Sequence, residues 1–325
     1  MDERGDQLRV GIAQMTPVWL DRSETLARVT AAVVEAANQG CDLVTFAEAL
    51  VPGYPFWLSA SGGASFDDAV QKRIHARYVD QAVVLEAGHL DAVCTTARTH
   101  DLTVVLGIVE RAPDRGGHTL YCSLVTIQND GSIGSVHRKL MPTYEERLCW
   151  GPGDGHGLRV HDLGAFTLGS LNCWENWLPL ARTALYAQGE DLHVAVWPGS
   201  RRNTEDITRF IAQEARSFVV SASSVLRRDD VPADFPERDA VIDLLPEVMA
   251  DGGSCIAGPD GEWVLEPQTG STGVFVATID HARVREERQN LDGTGHYSRP
   301  DVTRLIVNTE RQAIAELRDG PTPDA

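Results

Sequence analysis

Apolar and polar positions alternate along the chain in a way that divides it, up to about Val225, into short β-rich runs and longer amphipathic segments. Leu8–Ala13 is an almost unbroken apolar run of strand length, the pattern of a strand covered on both faces. Asp21-x-x-Glu24 then has the spacing of a helix start, and the helical period continues to Asn38 with Gly40 as its stop. Leu43–Phe46 reads as a second strand, Phe66–Ala87 and Leu90–His100 as helices, and Leu102–Glu110 as a third strand. Tyr121–Gln128 and Ser132–Arg138 flank Asn129-Asp130-Gly131, whose turn chemistry predicts a hairpin. Further on, Leu158–Leu163 reads as a strand, Trp174–Gln188 as helical, Leu192–Trp197 as a strand, Glu205–Phe218 as a helix and Val219–Val225 as a strand. Strands and helices that alternate in this way predict a layered α/β fold with mixed sheets.

Three strand-like runs end in chemically useful residues. In Gly169-Ser170-Leu171-Asn172-Cys173-Trp174-Glu175-Asn176 an apolar run delivers a cysteine to the start of a helix-like segment. Unpaired N–H groups and the helix dipole make such an end positive, which predicts a thiol pKa lowered toward neutrality. Taken alone, a cysteine there is first a core residue, because free cysteines are among the most buried side chains. Asp42-Leu-Val-Thr-Phe-Ala-Glu48, followed by a loop to Trp57, and Ser132-Ile-Gly-Ser-Val-His-Arg-Lys139, followed by a loop to Arg147, have the same design. A carboxylate, an ammonium and a thiol at three strand ends can converge on one cleft.

In that chain order the three segments resemble the Glu, Lys and Cys motifs of the nitrilase superfamily of carbon–nitrogen hydrolases. Cys173-Trp-Glu-Asn, Pro179-Leu-Ala-Arg, Ala184-Leu-Tyr-Ala-Gln and Gly295-His-Tyr-Ser-Arg-Pro-Asp301 resemble the true nitrilase branch, and the likeness spans roughly Leu8 to Asn308. One departure is Ala47, where the family often has proline before the motif glutamate. The resemblance implies a four-layer α-β-β-α sandwich, and hydrolysis of an organic nitrile to a carboxylic acid and ammonia through a thioimidate and a thioester on Cys173. It implies Glu48 as proton shuttle, Lys139 and the backbone N–H of Trp174 as stabilisers of developing charge, and Glu146, aligned through Arg147 in preference to Glu145, as a further active-site carboxylate. The net reaction needs no metal or organic cofactor. An amidase or a cyanide-converting hydrolase would share the trio, and a non-catalytic scaffold is the rival of another class. Tyr54, Trp57, Trp174 and Trp197 lie near the motifs in sequence and have two readings, as lining of an apolar pocket or as core packing.

Composition narrows the setting. The chain has 325 residues, 42% hydrophobic content and no apolar run near twenty residues, so a large core is expected and membrane spans are not. A net charge of −18 opposes binding to nucleic acid or anionic membrane. Six scattered cysteines and a charged opening, Met-Asp-Glu-Arg-Gly-Asp, fit free thiols in a reducing cytoplasm. Gly151-x-Gly153-x-Gly155-x-Gly157 precedes a strand signal, so it reads as a loop and not a phosphate site. His156, His161 and His193 lack metal-site spacing, and His193 in its apolar run reads as a satisfied structural residue. Arg228–Arg238 reads as a solvated loop, with a pocket lid as the alternative. The expected organisation is one catalytic domain over residues 1–280 and a C-terminal extension over residues 281–325. In that extension His296 and a strand at Asp301–Asn308 support an interface in a homo-oligomer, a dimer or larger up to a spiral assembly, and Glu310–Ala325 is a dispensable tail.

Overall fold

The computed structural model describes residues 5–315. Thirteen strands form two sheets. The first contains β1 (Gln7–Gln14), β2 (Leu43–Phe46), β3 (Thr103–Arg111), β4 (Leu120–Ile127), β5 (Ile133–Arg138) and β13 (Gly273–Asp280), in the order β13-β1-β2-β3-β4-β5. The second contains β6 (His161–Leu163), β7 (Phe166–Asn172), β8 (Leu192–Val196), β9 (Phe218–Ala222), β10 (Val225–Arg227) and β11 (Val248–Ala257), in the order β10-β11-β9-β8-β7-β6, with β12 (Trp263–Thr269) paired to β11. Each sheet is mixed. A parallel core (β1-β2-β3 in one, β7-β8-β9 in the other) is flanked by antiparallel neighbours. The helices are α1 (Arg22–Asn38), α2 (Trp57–Ala60), α3 (Ala69–Gln81), α4 (Asp91–His100), α5 (Pro179–Tyr186), α6 (Arg201–Ala215), α7 (Arg238–Val241) and α8 (His281–Arg288).

The strand period of two sorts the apolar residues into layers. Val10, Ile12, Leu43, Val105 and Leu124 of the first sheet meet Leu168, Val194, Val196, Val220 and Ile256 of the second across the sandwich interior. Their neighbours Val44, Phe46, Val104 and Leu106 face outward onto Val29, Val33 and Ala36 of α1 and Val93 and Ala97 of α4. Ala195 and Val219 face outward onto Ile207, Ile211 and Ala212 of α6. The result is the four-layer α-β-β-α sandwich. α1 starts as its sequence dictates: the Asp21 carboxylate accepts from the Glu24 N–H at 3.0 Å, and Gly40 ends the segment at φ +74°.

Several elements differ from expectation. The helix expected over Phe66–Ala87 is only α3, because Val83 leaves it to pair with β3 through Val83 N→Val109 O (2.8 Å) and Arg111 N→Val83 O (2.8 Å). The helix expected over Trp174–Gln188 breaks into a 3₁₀ turn, Cys173–Trp177, and α5, since Pro179 offers no N–H and Leu178 before it is extended (φ −86°, ψ 107°). α6 starts at Arg201, ahead of the expected Glu205, and the strand expected over Val219–Val225 is split between β9 and β10. β6 keeps only His161–Leu163 of the strand expected from Leu158. The Arg228–Arg238 loop is not merely solvated, because Val231 and Phe235 are buried and Phe235 lies 4.7 Å from the Trp19 ring. No described helix is long and apolar enough to cross a membrane.

α8 is bound tightly to the sandwich, with His281 Nε2 2.8 Å from Asp191 and Arg288 donating to the Glu190 carbonyl at 2.6 Å. Within the single chain residues 301–308 carry no strand; Val302 and Ile306 are exposed and the segment is irregular. Nor is the segment from Glu310 free of contacts. Buried Asp154 accepts from Arg311 Nη1 at 3.0 Å and Gln312 N at 3.1 Å, and Arg311 Nη2 donates to the Val136 carbonyl at 3.0 Å. The last part of the expected tail, residues 316–325, lies outside the described residues.

A chain ending at Asn308 is therefore expected to lose about 1–3 kcal/mol of stability, because the buried Asp154 carboxylate forfeits partners. A chain ending at Ala315 keeps them and should melt like the full chain. Equal melting temperatures for the two truncations would refute this role for Arg311.

Candidate active site

β1, β2, β3 and β5 run in one direction within the first sheet, so the carboxyl ends of β2 and β5 lie at the same edge, where α/β folds place their functional side chains. Glu48 follows β2, Lys139 follows β5 and Cys173 follows β7 of the other sheet. A backbone bond from Glu48 N to the Trp197 carbonyl (3.2 Å) ties this edge to the end of β8. β3 must lie very close for this: a Cβ on Gly107 would stand 2.1 Å from the Ala47 carbonyl oxygen.

Four side chains meet there, all buried. Lys139 Nζ donates to Glu48 Oε1 at 2.8 Å and to Glu146 Oε2 at 2.7 Å. Oxygens of Glu48 and Glu146 and the Cys173 sulfur lie within 4.8 Å of one another. Three such donors could share a cation, and the Lys139 ammonium already bridges the two carboxylates. Glu146 sits in the 3₁₀ turn Tyr144–Leu148, where its Oε2 also accepts from Thr143 N at 2.6 Å and its Oε1 from the Tyr54 hydroxyl at 2.7 Å. The neighbouring Arg138 pairs elsewhere, with Glu110 and Asp114.

Cys173 opens the turn Cys173–Trp177 in the left-handed region, at φ +44°, a conformation that costs a non-glycine residue energy and clusters at functional sites. The turn is closed by Glu175, whose carboxylate accepts from Asn172 N (3.1 Å), Leu140 N (2.8 Å) and His137 Nε2 (2.8 Å). One buried carboxylate thus joins the strand end that carries Lys139 to the one that carries Cys173. Burial would raise the Glu175 pKa, but His137 and the backbone donors outweigh it and hold it below the usual range.

Electrostatics correct one expectation. The thiol of Cys173 is not lowered toward neutrality; burial and then the negative Glu48 push it well up, and Lys139 and the Trp174 N–H only partly oppose them. A five-residue turn does not make up for the hydration that a buried thiolate loses. Burial also raises Glu48, against the pull of Lys139, to about 7. For Lys139 burial works downward, yet Cys173, Glu48 and Glu146 outweigh it and hold the ammonium well above its ordinary value. Around neutral pH the cluster therefore keeps a proton on the Lys139 nitrogen and one on the Cys173 sulfur, with Glu48 close to its midpoint.

The aromatic candidates separate. Tyr54 belongs to the cluster through Glu146 and lies edge-on to Trp150 at 5.6 Å. Trp57 is core, packed on Trp19 and Tyr78. Trp197 is also buried, its indole N–H on Ser221 (3.3 Å), and contributes its carbonyl. Trp174 is 54% exposed beside Cys173. His296 is exposed, stacked edge-on against Tyr297 at 5.3 Å, and has no hydrogen bond to the cluster among the described residues. Other contributors carry weaker signals in the sequence. Trp150 faces Lys139 at 5.9 Å, and the Cys122 thiol donates to Glu48 Oε1 at 3.4 Å. Glu175 had a usable one, since Asn172-x-x-Glu175 is spaced as a capping box.

The profile of the carbon–nitrogen hydrolase family matches residues 9–289. The chain is 33% identical over 325 residues to a "Nitrilase 2" of an unknown prokaryotic organism, covering 100% of this chain and 99% of that one. It is 33% identical to an aliphatic nitrilase of Rhodococcus rhodochrous, covering 95% and 84% of the two chains, and 32% identical to a bifunctional nitrilase/nitrile hydratase of Nicotiana tabacum, covering 92% and 86%. Among solved structures, an amidase from Nesterenkonia sp. superposes with a TM-score of 0.63 at 18% identity, covering 89% of this chain and 96% of that one, a likeness of fold.

With Glu48 pushed up to about 7, its carboxylate becomes available to accept the Cys173 proton as pH rises through that value. Alkylation of Cys173 by iodoacetamide, followed by mass spectrometry, should accelerate as pH rises through about 7, and Glu48→Gln should remove that inflection. An unchanged profile in Glu48→Gln would show that another group controls the thiol.

Proposed function

The chain belongs to the carbon–nitrogen hydrolase family, and from that membership we propose that it is a nitrilase, converting an organic nitrile and two waters to a carboxylic acid and ammonia. The observation that carries this reading is the buried Glu48–Lys139–Glu146 ion cluster within reach of the Cys173 sulfur, in a chain whose full-length relatives bear the name nitrilase.

A nitrile carbon is a weak electrophile, so the reaction starts with sulfur. Glu48 takes the Cys173 proton as the sulfur attacks carbon, and returns it to the nitrogen to leave a thioimidate. Lys139 and the Trp174 N–H stabilise the negative charge that develops on nitrogen in this step and on oxygen in later ones. Glu48 next deprotonates a water that adds to the same carbon; that proton and then the one left on the added oxygen go to nitrogen, the C–N bond breaks and ammonia leaves a thioester. A second water, activated the same way, breaks the C–S bond, frees the acid and restores the thiol. A shuttle of this kind works best with a pKa near the working pH, and Glu48 at about 7 fits that requirement. Glu146 keeps Lys139 charged and aimed. An amidase would use the same groups on a planar substrate, and nitrile against amide turnover separates the two.

The protein acts as a homo-oligomer in this reading. Leu178 and Leu180 in and before α5 and Phe210 on α6 are exposed on one helical layer, Phe210 lying beside Arg182 at 5.5 Å, and such apolar faces support subunit association.

A nitrile panel assayed for ammonia, with acid and amide both quantified, tests the activity directly; amide hydrolysis without nitrile turnover would replace it with the amidase reading. Cys173→Ala and Cys173→Ser should abolish turnover with the fold intact. Glu48→Gln should lose about 10²–10⁴-fold in rate, and Glu146→Gln far more than Glu145→Gln. A more damaging Glu145→Gln would reverse the assignment of that pair. Leu180→Glu should reduce the particle size seen by light scattering, and an unchanged size would move the interface elsewhere.

A further inference from the structure

Beyond the Cys173 carbonyl runs a line of fully buried polar side chains that the mechanism leaves unused. Asn176 Nδ2 donates to the carbonyls of Cys173 (2.8 Å) and Leu171 (3.2 Å). Both partners are acceptors, so the amide nitrogen must face them and Oδ1 must face the other way. There it meets His193 Nε2 at 2.7 Å, while His193 Nδ1 meets Glu190 Oε1 at 2.8 Å. Asn176, His193 and Glu190 are all 0% exposed.

The hydrogen count leaves little freedom. Asn176 Oδ1 can only accept, so His193 Nε2 carries a hydrogen. Nδ1 faces a carboxyl group, so between them lies one further proton, on nitrogen or on oxygen. In either arrangement Glu190 fixes the orientation and the Nε2–H of the imidazole, the imidazole fixes the orientation of the amide, and the amide pins the carbonyl of Cys173.

We propose that Glu190, His193 and Asn176 form a positioning relay that holds Cys173 in its left-handed conformation with the sulfur toward Glu48; this rests on the assignment of Cys173 as nucleophile. Two further observations support it. Glu190 Oε2 is buried without a hydrogen-bond partner among the described residues, a costly arrangement that stability alone would not favour. Gly169 makes the room for it: a Cβ there would stand 1.9 Å from Glu190 Oε1. The relay is also anchored at both ends, by Arg182 Nη1 on the Asn176 carbonyl (2.6 Å) and by Arg288 of α8 on the Glu190 carbonyl (2.6 Å).

The test compares Glu190→Gln with Glu190→Leu. A glutamine amide can donate to Nδ1 and keep hydrogen on Nε2; leucine cannot. Glu190→Leu should lower both kcat and the rate of Cys173 alkylation by iodoacetamide about 10²-fold with KM little changed, as misplacing a reacting atom by about 1 Å does, whereas Glu190→Gln should stay within about threefold of the parent. Asn176→Asp, which cannot donate to the two carbonyls, should behave like Glu190→Leu. A folded Glu190→Leu with parental alkylation and kcat overturns the relay, as does a Glu190→Gln no faster than Glu190→Leu. If the leucine variant does not fold, the spectrum of ¹⁵N-histidine in the parent decides: a bare Nε2 on His193 at the pH of maximal activity overturns the proposal, and a protonated one upholds it. Alkylation needs no nitrile, so failure of the nitrilase reading would appear in turnover alone and leave the pattern of alkylation rates intact.

Discussion

The structure depends on one ammonium group held between two carboxylates out of water. Lys139 touches Glu48 and Glu146 at 2.8 and 2.7 Å, and all three are buried. Desolvating three charges is expensive, and their mutual attraction repays that only when the geometry is good and the remaining polar atoms are satisfied. Much of the surrounding architecture serves that end. Thr143 N and the Tyr54 hydroxyl complete Glu146, and Cys122 adds a weak donor to Glu48. Such a cluster is poor evidence for stability and good evidence for purpose, since removing a single partner from a buried pair costs about 3–5 kcal/mol.

Topology explains how residues so far apart in sequence reach one point. In each sheet a parallel trio of strands sends its carboxyl ends to one edge, and the β4–β5 hairpin returns β5 in the same direction, so Lys139 arrives beside Glu48. The sandwich brings the edge of the second sheet to face it, and Cys173 completes the group. Glu175 and the Glu48–Trp197 backbone bond fasten the two edges together.

Much of this is legible in the sequence, for local reasons. β1, β2, the β4–β5 hairpin and the Asp21 cap each rest on spacing within a few residues, and the three strand-end motifs announce themselves by type and order. What was not legible is long-range. His193 read as a satisfied histidine, yet its partner Asn176 is 17 positions away, and Glu175 finds His137 at a separation of 38. Whether Trp57 and Trp197 line a pocket or pack the core depends on what sits behind them, which no window of sequence contains. The thiol pKa failed for a related reason: the helix end was visible, whereas the burial and the carboxylates that outweigh it were assembled by the fold.

A thiol pushed up by burial meets stray reagents mainly in its protonated form. Peroxides and stray electrophiles attack the thiolate and largely spare the protonated form. A buried cysteine whose thiol is pushed well up by desolvation and by Glu48 presents oxidants with little thiolate. In the proposed reaction the sulfur becomes nucleophilic as the substrate draws its electrons and Glu48 receives its proton. The electrostatics that make the residue slow to ionise are thus expected to slow its oxidation as well.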